Sequence, residues 1–278
     1  MTIPFEPRAV VTGAASGLGR ALCLALATRR ANIVVSDIDL TGAEETAQLV
    51  VRLGGSARTQ RCDVSKADEV EELARFADRE LGGTDLLVNN AGVAVGGPVG
   101  EVPLEDWAWA LNINLWGVIH GCHAFVPRLK QQRRGHVLNV ASAAGLLSPP
   151  DMGPYNVGKA GVVALSETLY SELRAHGVGV TALCPTYFLT SIMASARSHS
   201  ASELRSVAEE MMQRSKVQAP QVAERALSAC DAGELYCVPM LDGQVAWRLK
   251  RLAPTLFYDK VLGTLFSWTA KGRARAPG

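Results

Sequence analysis

The sequence predicts an α/β protein: a doubly wound parallel sheet of about seven strands, with helices on both faces, in a single domain. Three observations carry that expectation. Short apolar runs without polar alternation recur along the chain, as parallel strands covered on both faces require. Segments of helical period separate them at lengths that suit right-handed crossovers. No repeat or low-complexity linker divides the 278 residues, a length ample for one large core. The balance of 28 Lys and Arg against 27 Asp and Glu gives no whole-chain electrostatic ground for nucleic-acid binding.

The elements follow in order. Ala9-Val10-Val11 reads as the first strand, and Leu18, Leu22, Ala25 and Leu26 as the helix after it. Ile33-Val34-Val35 is the second strand, followed by helical spacing at Ala43, Ala47, Val50 and Val51. A third strand is expected before Cys62, then a helix through Val70, Leu73, Phe76 and Ala77. Leu86-Leu87-Val88 leads into one long helix from about Leu104 to Leu129. His136-Val137-Leu138 and Val178 to Leu183 flank a helix marked by Val162, Val163, Leu165, Leu169 and Leu173. Leu235 to Val238 is the expected seventh strand.

The first strand runs into a glycine-rich turn, Thr12-Gly13-Ala14-Ala15-Ser16-Gly17-Leu18-Gly19, that opens directly into a helix. Glycines permit a tight turn and close approach of a phosphate, while the helix N-terminus offers N–H groups and a positive dipole end. Asp37 ends the second strand, twenty-four residues after Gly13. A carboxylate there suits the ribose hydroxyls of an adenosine and repels a 2′-phosphate. Arg20 is the nearby cation, and no Arg or Lys stands at position 16 or immediately after Asp37. NAD is therefore preferred over NADP.

With these residues the chain resembles the short-chain dehydrogenase/reductase family, from about residue 8 to residue 195. The Thr-Gly-x-x-x-Gly-x-Gly spacing matches the family turn, a Rossmann-type cofactor site. Asp63 and Val64 match its Asp-Val step at the adenine. Asn89-Asn90-Ala91-Gly92 matches the element that lines the cofactor and steadies the sheet. Asn114 falls at the family's active-site Asn, Ser142 thirteen residues before Tyr155, and Tyr155 and Lys159 form its Tyr-x-x-x-Lys. The resemblance implies catalytic roles for Asn114, Ser142, Tyr155 and Lys159. It implies cofactor contacts from Gly13, Ser16, Gly17, Leu18, Gly19, Asp37, Asp63, Val64, Asn90, Ala91, Gly92, Tyr155, Lys159, Pro185 and Thr190. One departure stands out: Thr186 follows Pro185 where the family usually has Gly.

The side chains also suggest the chemistry directly. Alcohol–ketone interconversion needs a hydride carrier and a group exchanging a proton with the carbinol oxygen. A free phenol, with a pKa of about 10, is too weakly acidic to serve as a base near neutrality. Tyr155 and Lys159 share a helix face four residues apart, so the ammonium, together with an oxidised nicotinamide, is expected to favour phenolate. Ser142 would donate to the substrate oxygen, and Asn114 is expected to hold a water linking Lys159 to solvent.

Other features read as structural. His120 and His123, with no acidic or Cys partner nearby in sequence, suggest packing or an oligomer contact, and no metal site is expected. Trp107, Trp109 and Trp116 read as helix packing. Six cysteines without a Cys-x-x-Cys pair, and a start lacking an apolar signal core, suggest a cytoplasmic protein.

Downstream, residues 188–217 match the family's substrate lid, with Leu204, Val207, Ala208, Met211 and Met212 as an apolar underside. Residues 143–152 form the opposite wall, so a hydrophobic secondary alcohol or ketone is the expected substrate. The reading divides the chain into a catalytic domain, residues 1–246, and a C-terminal extension, residues 247–278. That extension holds seven Lys and Arg and one Asp, a charge of +6 in a chain of net +1. Oligomer contact, in a homodimer or homotetramer, or pocket cover is favoured there over peripheral membrane contact. The alternatives are an NADPH-dependent reductase of the same family, a cofactor-binding scaffold without catalysis, and a peripheral membrane protein.

Overall fold

The computed structural model describes residues 3–193, 196–199 and 210–262. The lid residues Leu204, Val207 and Ala208, and tail residues 263–278, lie outside that range. In the first half, β1 (Arg8–Thr12), α1 (Gly17–Ala27), β2 (Asn32–Asp37), α2 (Leu40–Arg52), β3 (Ser56–Arg61), α3 (Ala67–Leu81) and β4 (Leu86–Asn89) alternate strictly. Next come β5 (Val95–Gly96), α4 (Leu104–Leu111), a π-helical turn (Asn112–Trp116), α5 (Gly117–Gln132) and β6 (Gly135–Val140). A short α6 (Ala143–Leu147) and the long α7 (Gly153–Leu173) precede β7 (Val178–Leu183) and β8 (Arg197–Ser198). The chain continues through α8 (Ala219–Ala232), β9 (Tyr236–Cys237) and α9 (Leu241–Leu252).

Seven strands form one parallel sheet in the order β3-β2-β1-β4-β6-β7-β9. Successive strand residues face opposite sides, and both sides are covered. Ala9, Val11, Ile33, Val35, Leu86 and Val88 meet Leu22 and Leu26 of α1 and Val222 and Ala226 of α8. Val10, Val34, Leu87 and Val137 meet Leu73, Phe125, Leu129, Val162 and Leu169 on the other face. Removing a large apolar side chain from water contributes about 1.5–3 kcal/mol. This two-sided burial is why the central strands read as unbroken apolar runs.

Four places add to or alter the expected elements. β3, Ser-Ala-Arg-Thr-Gln-Arg, stands before Cys62 as expected, but has no apolar run because it is an edge strand with exposed alternate residues. The long helix expected from Leu104 to Leu129 runs continuously through α4 and α5, with a π turn between them at Asn112–Trp116. A two-stranded parallel pair, β5 with β8, joins residues 95–96 to the expected lid stretch. Finally, the expected division between residues 246 and 247 falls inside α9, so the extension begins as a helix continuous with the core.

One buried polar residue sets an acid limit on this fold. His136 of β6 lies opposite Gly179 of β7, where an added Cβ would stand 2.3 Å from the imidazole Nδ1. Its Nε2 meets the Thr181 hydroxyl at 2.9 Å, and burial pushes its pKa down to about 3. The unfolded chain therefore binds a proton here below about pH 6.5 that the folded chain refuses. The associated stability is present in full above that value and is lost as pH falls towards 3. Urea unfolding should show a loss of up to about 2 kcal/mol between roughly pH 6.5 and pH 5 from this group. That part of the pH dependence should vanish in His136→Gln; an unchanged difference between pH values would rule the origin out.

Candidate active site

The strand order reverses between β1 and β4, so the connections leaving those strands diverge and open a crevice at the C-terminal edge of the sheet. Residues 13–19 follow β1, Asp37 ends β2, Asp63 and Val64 follow β3, and residues 90–92 follow β4. Ser142 follows β6 and Pro185 follows β7, on the same edge. Thr190 stands further along, where its hydroxyl accepts the Ile192 N–H at 3.3 Å.

The turn after β1 is built to be approached closely. Gly13 has φ +63°, and a Cβ on it would stand 2.6 Å from Ala91 Cα. A Cβ on Gly19 would stand 2.1 Å from the Gly13 carbonyl oxygen. Gly17, at φ +53°, then turns the chain into α1. A phosphate thus meets backbone N–H groups and the dipole of an eleven-residue helix, so these residues fit a dinucleotide. Asp37 closes the far side: its carboxylate accepts the Ala15 N–H at 2.9 Å and the Asp39 N–H at 3.0 Å. Arg20 is engaged elsewhere. Its guanidinium donates to Thr46 Oγ1 at 2.8 Å and to the Ala15 carbonyl at 2.5 Å, and pairs with Glu45 at 3.1 Å.

Some expected cofactor residues have other duties. The Leu18 side chain is buried in the core cluster that also holds Leu22. Val64 is likewise core, packed where a Cβ on Gly117 would stand 2.8 Å from it, and its carbonyl meets His120 Nδ1 at 2.9 Å. One Asp63 oxygen accepts the N–H and hydroxyl of Ser65 at 3.0 and 2.7 Å.

Sequence reasoning missed the residue that ties the two diverging strands together. The Thr12 hydroxyl accepts the N–H groups of Asn90 and Ala91 at 3.0 and 3.2 Å and donates to the Val88 carbonyl at 3.3 Å. Asn90 Nδ2 returns bonds of 2.9 Å to the Thr12 and Gly13 carbonyls. A second set lies below, within the element expected to steady the sheet: Asn89 donates to Asn139 at 2.9 Å, and Asn139, whose part was not foreseen, to Ser166 at 3.0 Å, linking β4 and β6 to α7. Polar residues inside apolar strand runs were the available signal.

Around α7 the expected quartet converges. Lys159 Nζ lies 5.8 Å from the Tyr155 ring centroid and donates to the Val140 carbonyl at 2.7 Å. Ser142, at the N-terminus of α6, accepts the Ala144 N–H at 3.1 Å and lies close enough to the Tyr155 phenol to lower its pKa. Asn114 sits in the π turn with its side chain fully buried. Its Oδ1 accepts the Val93 N–H at 2.9 Å and its Nδ2 donates to the Val93 carbonyl at 2.8 Å. The amide thereby clamps the strand exit, and Gly92 lets the backbone pass beside it and Lys159.

Burial raises the Tyr155 phenol above its ordinary value, against a smaller lowering by Ser142. Burial also brings the Lys159 ammonium down, to about 8. Burial thus opposes the ionised form of both groups.

The remaining features sort as follows. Trp107 and Trp109 pack against Val95, Val102 and Ala110, as expected, and Arg197 stacks on Trp109 at 3.9 Å. Trp116, expected to pack, is half exposed because it sits on the outer side of the π turn, with His120 5.8 Å away. His123 is exposed while His120 turns to Val64, so the two do not converge. Met211 is exposed and Met212 half-buried, unlike the apolar underside expected of that stretch.

Fold and crevice together are those of a Rossmann-type α/β protein whose glycine turn fits a dinucleotide. A family model described as short chain dehydrogenase matches residues 7–201. The chain is 40% identical over 190 residues to "Probable oxidoreductase EphD" of Mycobacterium tuberculosis, covering 68% of this chain and 32% of that protein. It thus spans about a third of that relative's length. It is 39% identical to D-threitol dehydrogenase of Mycolicibacterium smegmatis, covering 66% of this chain and 71% of that one. A short-chain dehydrogenase/reductase from Burkholderia phymatum, solved in complex with NAD, superposes with TM-score 0.86 at 33% identity, covering 92% of this chain and 96% of its own. The chain belongs to the short-chain dehydrogenase/reductase family.

The Thr12 bonds can be tested by an isosteric change. Thr12→Val keeps the volume but strands the Asn90 and Ala91 N–H groups in a buried position. Chemical unfolding should show a loss of about 1–3 kcal/mol, with dinucleotide affinity weakened in equilibrium titration. Wild-type stability and affinity would show that the two connections hold their positions without this hydroxyl.

Proposed function

We propose that the protein interconverts a hydrophobic secondary alcohol and its ketone with NAD, Tyr155 acting as the acid/base. The observation that carries this reading is the convergence of Ser142, Tyr155 and Lys159 beside the glycine turn. Bound in the crevice, a nicotinamide dinucleotide supplies the acceptor or donor of a hydride. In reduction the Tyr155 hydroxyl gives its proton to the carbonyl oxygen while Ser142 donates a hydrogen bond to the same oxygen. In oxidation the Tyr155 phenolate takes the proton from the alcohol. Lys159, held by Val140, orients the site, and the Asn114 clamp on Val93 keeps residues 90–93 in place.

Buried Ala143, Ala144 and Leu146 on one side and Phe188 on the other support an apolar substrate. D-threitol dehydrogenase, named for its alcohol substrate, supports action on a CH–OH group. NAD over NADP rests on Asp37 and on Arg20, whose guanidinium is already engaged at Thr46, Ala15 and Glu45. A homodimer or homotetramer belongs to this reading, supported by exposed Leu104, Trp116 and Val157 on adjoining helical segments. So does a reducing cytoplasmic compartment, supported by six buried free cysteines.

Alcohols and ketones screened by the absorbance of reduced nicotinamide test the reading. Tyr155→Phe should lower kcat/KM about 10²-fold or more while dinucleotide affinity stays within a small factor. Wild-type oxidation should rise with pH, because the phenolate is required and burial holds the phenol high, whereas reduction should fall at the alkaline end. No turnover across a broad panel would favour a binding scaffold instead. Asp37→Ala should reduce the preference for NAD over NADP by about tenfold or more, the equivalent of one charge-assisted hydrogen bond. An unchanged preference would remove Asp37 from the discrimination.

A further inference from the structure

Helix α9 and the turn after it carry an apolar stripe that faces away from the domain. Leu241, Val245, Leu249 and Leu252 recur at intervals of four, four and three, which places them along one side of α9, and Leu256 follows in the turn beyond it. All five are exposed, Leu252 to 84% and Leu241 to 72%. The other side anchors the segment to the domain. Lys250 Nζ donates to the Leu146 carbonyl at 2.6 Å, and the Tyr258 hydroxyl to that of Leu147 at 3.2 Å. The Trp247 ring meets Tyr236 edge-on at 4.9 Å, and Phe257 is buried. These contacts fix which face is outward.

Charge decides what that face suits. Arg248 and Arg251 project from one flank of the helix and are exposed, within a stretch, residues 247–278, of charge +6. Beyond the described residues the sequence continues with Phe266 and Trp268, then Lys271, Arg273 and Arg275. Apolar residues flanked by Arg and Lys, with Trp close by, suit the boundary between headgroups and acyl chains. Among the described residues no helix is long and apolar enough to cross a membrane, so such a segment lies along the surface. A two-fold contact between copies would bring two stretches of +6 together, whereas an anionic surface complements them.

We propose that the α9 stripe docks the protein on anionic lipid bilayers, its leucines inserted at the interface and Arg248 and Arg251 on the headgroups. The same helix is tied through Lys250 to α6, so docking sets the α6 wall of the crevice beside the lipid. The proposal stands apart from the alcohol–ketone reading, because binding is measured without turnover.

The test is co-sedimentation of the full chain with vesicles of phosphatidylcholine alone and of phosphatidylcholine with phosphatidylglycerol. Binding should be strong only with the anionic lipid and should weaken several-fold from about 0.1 M to about 1 M salt, as screening shortens from roughly 10 to 3 Å. Leu252→Asp and the double variant with Leu241→Asp should lower the partition coefficient at least about tenfold. Thermal unfolding and dinucleotide binding should stay at wild-type levels, since both leucines are exposed. Equal binding to neutral vesicles, or binding indifferent to the aspartates, would overturn the proposal. So would no vesicle binding together with an Asp variant that changes the mass seen by light scattering, which would assign the stripe to a second copy.

Discussion

The hydrogen bonds between Thr12 and Asn90 close the one place where the sheet's connectivity pulls apart. β1 and β4 are neighbours whose connections leave in opposite directions, and the crevice exists because of that divergence. A gap there would leave backbone N–H groups buried without partners, at a cost of about 1–3 kcal/mol each. One hydroxyl and one amide fill it, using the Thr12 oxygen as acceptor for two N–H groups and Asn90 as donor to two carbonyls. The glycine turn is consequently fixed from behind, and its open side remains for a ligand. Gly13 and Gly19 are required by that closeness: the turn is pressed against Ala91 and against itself.

The same logic extends across the sheet edge to α7. Asn114 satisfies both polar groups of Val93, and Lys159 satisfies the Val140 carbonyl, so two strand exits are held by side chains from the helical layer. A buried ammonium is costly, and the fall of Lys159 to about 8 reflects that cost. Ser142 and Tyr155 inherit their mutual position from these fixtures, since one follows β6 by two residues and the other lies one helical turn from Lys159. The neutral Tyr155 of the free protein follows from the same burial. An opposite charge would need to enter the crevice, or the environment become more polar, before the phenol moved the other way.

What was legible in the sequence is what local chemistry dictates. A glycine turn between a strand and a helix, an Asn pair after an apolar run, and Tyr and Lys four apart each state their constraint within a few residues. The central strands were legible because burial on two faces forbids polar alternation. β3 carried no such run, because an edge strand obeys no such rule, and only its place before Cys62 marked it. The π turn at Asn112–Trp116 was hidden for a different reason: the Leu104–Leu129 stretch keeps helical periodicity through it. Leu18 and Val64 hold their places in the motif while their side chains also pack in the core.

The departure at Thr186 and the C-terminal helix explain one another. A glycine after Pro185 would permit positive φ; Thr186 is not among the residues that adopt it. Its hydroxyl instead donates to the Asp242 carboxylate at 3.3 Å, at the start of α9. The close approach is supplied from the other side, by Gly243, where an added Cβ would stand 2.7 Å from Thr186 Cγ2. The small residue has in effect moved from the loop to the helix that covers it. Pro185 meanwhile accepts the Ala143 N–H at 2.9 Å, and Lys250 holds the far end of the same α6. The extension therefore grips both connections that border Ser142, one through Thr186 and one through Leu146. Residue 186 and the first turn of the helix at residues 241–252 are thus packed together as one unit.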